Sequence, residues 1–158
     1  MKRSDEDWSE HDLDMLLELA FAHVEESRRC HETGCALAAL VMVAAAFEAT
    51  LLGMVIANEG SLRVDKAWPA GASMMHLTEL ADLAVKNGWL KGDAVWDVVE
   101  VLNKARTMAA HPGAYVRGMR GAPPELDLRN GDGYRACLDI VVKATEQLRD
   151  AHNTIPRR

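Results

Sequence analysis

The chain has 158 residues, 49% of them hydrophobic and 27% charged, which is enough to bury one core and too short for several. Its net charge of −6, from 18 basic and 24 acidic side chains, makes it a poor generic nucleic-acid binder, while a local basic patch could still hold one short anionic segment or be ordinary surface charge. The charge is uneven: residues 1–62 carry 4 basic against 12 acidic groups, a local −8, whereas residues 103–135 carry 6 basic against 3 acidic, a local +3. Alanine, leucine and methionine dominate, phenylalanine occurs only twice, and β-branched runs are scarce, a composition that favours helix over sheet. The expected fold is one all-α domain over 1–158, a bundle of about five helices.

The first helix is predicted from about Ser9 to His31. Ser9 is a good N-cap, with Asp12 at the third helical position. Leu13, Leu16, Leu17, Ala20, Phe21 and Val24 follow at helical spacing. Gly34 breaks the chain, and a second helix is expected over Cys35–Asn58, with Gly60 beyond its end. Leu37 to Ala57 is apolar apart from Glu48 and Thr50 and long enough to cross a bilayer. However, Glu48 lies mid-segment, where a carboxylate is costly in lipid, and no aromatic or lysine anchors flank both ends. The expectation is a central helix of a soluble bundle, apolar all round because other helices surround it, with no membrane partner.

Residues 60–72 form a predicted loop around Pro69 and Gly71, and Ser73 is expected to cap a third helix that runs to Asn87. Asp93 is expected to cap a fourth, with Val95, Val98, Val99, Leu102, Ala105 and Ala109 inward and Pro112 as its stop. Eight glycines and prolines mark 112–133 as an irregular stretch, and a fifth helix is predicted over Tyr134–His152. The methionines, among them Met15, Met42, Met54, Met74, Met75 and Met108, read as core filling, and Trp8, Trp68, Trp89 and Trp96 as packing or interface anchors.

Cys30, Cys35 and Cys137 form an odd set, and the N-terminus is polar and acidic from Ser4 to Asp14. The expectation is free thiols in a reducing cytoplasm. His23, Cys30, His31 and Cys35 cluster across a helix end without a Cys-x-x-Cys knuckle, so they read as helix residues, with neither metal nor cofactor expected.

The stretch from Arg106 to Gly113, Arg-Thr-Met-Ala-Ala-His-Pro-Gly, closes the fourth helix with an arginine, a histidine and an abrupt stop. A guanidinium can grip a phosphate through two hydrogen bonds, and an imidazole that titrates near neutrality can take or give a proton. Together the two groups suffice for metal-free RNA cleavage, with Arg106 stabilising the phosphorane-like transition state and His111 moving the proton of the 2′-hydroxyl or of the leaving 5′-oxygen. The competing reading is that both residues only cap the last carbonyls of the helix. Glu48, the lone carboxylate of an apolar helix, needs a partner, either Arg106 or a purely structural donor. Lys104, Tyr115, Arg117 and Arg120 can hold phosphates and stack a base, or form a solvated surface.

The segments Leu77–Leu90 and Val98–Gly113, together with the Ala44–Leu52 helix upstream, resemble the HEPN superfamily, and most of all its bacterial domains whose motif helix ends in Ala-His-Pro-Gly or Ala-His-Gly. The resemblance covers about residues 35–115. It implies a helical bundle that forms a homodimer through the motif helices. Many members are metal-independent ribonucleases of toxin–antitoxin, phage-defence or CRISPR settings, and others are non-catalytic dimerisation or interaction modules. Arg106 and His111 match the motif residues, with Glu48, Asn103 and Thr107 as supporting positions. The position after the arginine is usually Asn, Asp or His in active members, and Thr107 keeps a hydroxyl there but not the amide or carboxylate. The implied partners are single-stranded RNA, a second copy of the chain, and a cognate antitoxin or defence protein. A third reading is a nucleotide- or ligand-binding regulatory domain with a closed pocket near 112–133.

Overall fold

A computed structural model of the chain describes residues 8–58, 76–118, 120 and 133–153. Within them lie five principal helices and one short one: α1 (Glu10–Glu32), α2 (Ala36–Ala57), α3 (Leu77–Lys86), α4 (Ala94–Ala110), α5 (Pro112–Gly118) and α6 (Tyr134–Asn153). The described residues contain no strand, and the architecture is an all-α helical bundle.

α1 begins as its sequence dictates. The Ser9 hydroxyl accepts from the Asp12 backbone N–H at 3.2 Å, and the Asp12 carboxylate accepts from the Ser9 backbone N–H at 2.7 Å, a reciprocal cap that satisfies two otherwise orphaned donors. The helix ends at Thr33, and Gly34 takes a left-handed φ of 82°, which turns the chain back after three residues into α2.

α2 is the axis of the bundle. It packs against α1, α3, α4 and α6, and Leu40, Val43, Ala46, Phe47, Leu51 and Val55 are completely buried. The helix is long and apolar enough to cross a membrane, and two thirds of its most apolar window is covered by the rest of the fold. Gly53 lets α6 approach closely, because a Cβ there would stand 2.6 Å from Leu148 Cδ2 and 3.2 Å from Leu13 Cδ1. One polar tie crosses the same interface: the hydroxyls of Thr50 and Thr145, both fully buried, lie 2.8 Å apart, and Thr145 also donates to the Val141 carbonyl at 2.8 Å.

Four expectations are corrected. α3 starts at Leu77 rather than after Ser73, which lies outside the described residues; the Glu79 carboxylate accepts from the His76 backbone N–H at 2.8 Å and fixes the start there. Asp93 does occupy the N-cap of α4, but its backbone is already helical and its side chain makes no capping bond. Residues 112–118, expected to be irregular, are helical, because Pro112 breaks α4 and at the same time supplies the fixed φ of a first helical residue. The methionines do not all fill the core: Met54 is buried and Met42 and Met108 are half-buried, but Met15 is 54% exposed, while Met74 and Met75 lie outside the described residues.

Candidate functional site

Arg106 lies on α4 one turn before its end, where the buried stripe Val98, Leu102 and Ala105 docks the helix onto α2. That docking carries the guanidinium to Glu48, and Arg106 Nη1 donates to Glu48 Oε1. The carboxylate is positioned by α2 itself, since its neighbour Phe47 is wholly buried and Ala49 nearly so. Neither member of the pair is sealed off: the side chain of Arg106 is 39% exposed and that of Glu48 is 30% exposed. Glu48 therefore finds Arg106, the first of its two expected partners. Arg106 spends its charge on this carboxylate rather than on the last carbonyls of α4.

His111 is the C-cap residue of α4, with φ −136° and ψ 65°. Its backbone N–H donates to the Thr107 carbonyl at 2.7 Å, so the main chain is tied to the helix while the ring is exposed to solvent. Among the described residues its ring has no hydrogen-bond partner and no bond to Arg106. The structure thus places both motif residues at the same end of α4, Arg106 anchored by Glu48 and His111 with its ring unpaired among the described residues.

The supporting residues divide. Asn103 Nδ2 donates to Thr78 Oγ1 at 3.0 Å, a tie between α4 and α3 whose partners stand 25 positions apart, beyond any local sequence pattern. Thr107 is exposed and holds His111 through its backbone carbonyl. Lys104 is bound to Glu100 one turn earlier at 2.7 Å, which also lowers the Glu100 carboxyl below its usual range; its charge is committed within its own helix. Arg117, in the last turn of α5, and Arg120, just beyond it, are exposed, and Arg120 N–H donates to the Arg117 carbonyl at 3.4 Å. Tyr115 belongs to α5, but its side chain lies outside the described residues, as do residues 121–132 of the 112–133 stretch near which a closed pocket was expected.

Two polar clusters elsewhere escaped the sequence reading. His31 stacks on Tyr134, with ring centroids 4.2 Å apart and planes 9° from parallel, and the Tyr134 hydroxyl lies 2.8 Å from the buried Ser27 hydroxyl. His152 Nε2 lies 2.8 Å from Asp14 Oδ1 and fastens the end of α6 to α1. Both join residues more than 100 positions apart. Among the described residues no three His, Cys, Asp or Glu side chains converge as metal ligands; Cys30, Cys35 and Cys137 are free thiols, and burial pushes the Cys137 thiol up to about 11. Surface grooves of 340, 580 and 470 Å³ lie beside Tyr134 and Arg28, beside Trp89 and Lys143, and along the outer face of α1, and none of the three is lined by Arg106 or His111.

No family model, curated protein or solved structure gives a significant match to this chain.

Proposed function

We propose that this chain is a HEPN-like, metal-independent endoribonuclease acting on single-stranded RNA in the cytoplasm, as a homodimer, through Arg106 and His111, in a toxin or phage-defence role. The observation that supports the reading is the division of labour at the end of α4: Arg106 is oriented by Glu48 yet more than a third exposed, and His111 is exposed with no hydrogen-bond partner for its ring among the described residues. A guanidinium with one nitrogen held by a carboxylate keeps its remaining N–H donors for a phosphate.

In this mechanism His111 takes the proton of a ribose 2′-hydroxyl, the 2′-oxygen attacks the adjacent phosphorus, and the 5′-oxygen leaves with a proton from the second subunit's imidazole. The products are a 2′,3′-cyclic phosphate and a 5′-hydroxyl. Arg106 stabilises the additional negative charge on the phosphoryl oxygens as it develops. DNA lacks the nucleophile and is not cut. A dimer supplies the second acid–base group that one Arg/His pair lacks.

The second reading is a non-catalytic HEPN-like interaction module, in which the Glu48–Arg106 pair only braces α2 against α4. The ion pair itself favours it, because a guanidinium bound to a carboxylate is partly neutralised. The partial exposure of both partners supports the first reading, because it leaves the guanidinium within reach of a phosphate.

The deciding experiment is cleavage of mixed-sequence single-stranded RNA in EDTA by the native chain, His111→Ala and Arg106→Ala. The ribonuclease reading expects EDTA-resistant cleavage that falls about 100-fold or more in each variant, with the oligomeric state unchanged. Equal activity in all three, or no activity at high enzyme concentration, favours the interaction module.

A further inference from the structure

α1 carries two apolar seams. The inner one, Leu13, Leu17, Ala20 and Val24, is buried on α2 and α6. The outer one, Met15, Leu19 and Ala22, with Trp8 just ahead of the Ser9 cap, starts two residues out of step; at 100° per residue Met15 points about 200° from Leu13, to the opposite side of the helix. Met15 and Leu19 are 54% and 46% exposed, and they are two of the three large hydrophobic side chains exposed among the described residues. With Trp8 and Leu16 they line a shallow groove of 470 Å³ whose rim is formed by Asp12 and Glu18. The spacing from Met15 through Leu19 to Ala22, four residues and then three, is the alternation that meshes with the side chains of another helix.

The charge around the groove selects the occupant. Between Trp8 and Ser27 the helix has Glu10, Asp12, Asp14, Glu18, Glu25 and Glu26 and no lysine or arginine. Two copies of α1 laid together would oppose carboxylate to carboxylate on both rims, which disfavours self-pairing. The same rims attract lysine or arginine flanking an apolar stripe. The groove also lies apart from α4, which packs on α2, α3, α5 and α6, so a dimer formed through the motif helix leaves it open.

We propose that the outer face of α1 is the docking site for a basic amphipathic helix of another protein, whose apolar stripe covers Met15 and Leu19 and whose flanking cations meet Asp12 and Glu18. The helical part of the groove, from Asp12 to Ala22, is about 15 Å long and takes about three turns of partner helix. This assignment is independent of any ribonuclease activity.

The test uses the full chain and two synthetic helical peptides with leucine at three-and-four spacing, one flanked by lysine and one by glutamate. Fluorescence anisotropy of the labelled peptides is expected to show the lysine peptide binding at least about tenfold more tightly than the glutamate peptide, with affinity falling as salt rises. Met15→Ser/Leu19→Ser is expected to weaken that binding about tenfold or more. A Leu19→Lys variant, which places a cation in the groove, serves as a second probe should the double variant lose helicity. Glu18→Gln is expected to weaken binding two- to threefold and flatten its salt dependence, whereas Asp12 is left intact because it caps the helix. Three results each overturn the assignment: equal binding of the two peptides, undiminished binding to the folded groove variants, or sedimentation showing that the chain self-associates in a manner that Met15→Ser/Leu19→Ser abolishes.

Discussion

Removal of the Glu48 carboxylate measures how firmly α2 grips the motif helix. Exposed ion pairs contribute about 0.2–1 kcal/mol, and hydrogen bonds to charged groups in more enclosed settings about 1.5–3 kcal/mol. With Arg106 at 39% and Glu48 at 30% exposure the pair lies between these limits, and solvent screening brings its coupling to about 1 kcal/mol. The measurement is a double-mutant cycle over Glu48→Ala, Arg106→Ala and the double variant, by urea unfolding followed through far-ultraviolet circular dichroism. Each single variant is expected to lose about 1–2 kcal/mol, and the double variant to lose about 1 kcal/mol less than their sum. For a chain of this size 1 kcal/mol corresponds to roughly 2–4 °C in Tm. High salt should shrink the coupling, because both groups reach solvent. If the two losses add to within about 0.3 kcal/mol, the contact does not couple the helices and the argument that Glu48 orients Arg106 fails.

Three further outcomes are expected. Thr145→Val should cost more than Thr50→Val, about 1–3 against about 1 kcal/mol in chemical denaturation, because the first strands the Thr50 hydroxyl in the core while the second removes only one donor to Thr145; equal costs would refute that assignment of donor and acceptor. Cys137, its thiol pushed up to about 11 by burial, should resist a thiol reagent at pH 8 until the chain unfolds, while the exposed Cys35 reacts at once; above pH 9 the unfolded chain ionises this thiol before the folded one does, so the stability it contributes is lost between about pH 9 and 11, and Cys137→Val should remove that part of the alkaline loss. The Ser9 hydroxyl and backbone N–H hold the Asp12 carboxyl below its ordinary 3.8, so its stabilisation is present above that pH and lost as pH falls through the lower folded value; an acid titration of native and Asp12→Asn chains followed by circular dichroism should show a smaller acid loss in the variant.

The helices were legible where a local cause sets them. Ser9 with Asp12, Gly34, and the stop at Pro112 each act within a few residues, and the start of α1, the turn from α1 to α2 and the end of α4 fall within a residue or two of where those signals put them. α3 was misplaced because Ser73 is the stronger capping residue type, whereas the start is set by Glu79, whose carboxylate reaches back to the His76 backbone N–H. The short α5 was missed because Pro112 reads as a stop more strongly than as a first helical residue. At the site, a lone carboxylate in an apolar helix announced its need for a cation, and Arg106 answered it. Nothing local announced Asn103 with Thr78, or Asp14 with His152, since those pairs exist only once distant helices have docked. Met15 was misread for a related reason: apolar residues at helical spacing mark a face that can be buried, and periodicity alone does not tell which of two such faces the fold covers.

The order of the helices around α2 sets how this chain gains and loses its structure. α1 and α2 are joined by three residues and meet along their whole length, so their pairing costs little loop entropy. α6 returns from the far end of the chain and is fastened through Gly53, the Thr50–Thr145 hydroxyls, the Ser27–Tyr134 hydroxyls and the His152–Asp14 contact, ties that each span about 95 residues or more. Such long closures form last and open first. Amide exchange in the native protein should therefore run in two tiers, with α6 opening in a sub-global step that leaves the α1–α2 hairpin protected. That opening would uncover Phe47's helix on the side Leu148 normally covers, and the lifetime of the closed last helix, more than the depth of the core, would govern how readily the folded chain is cut by a protease.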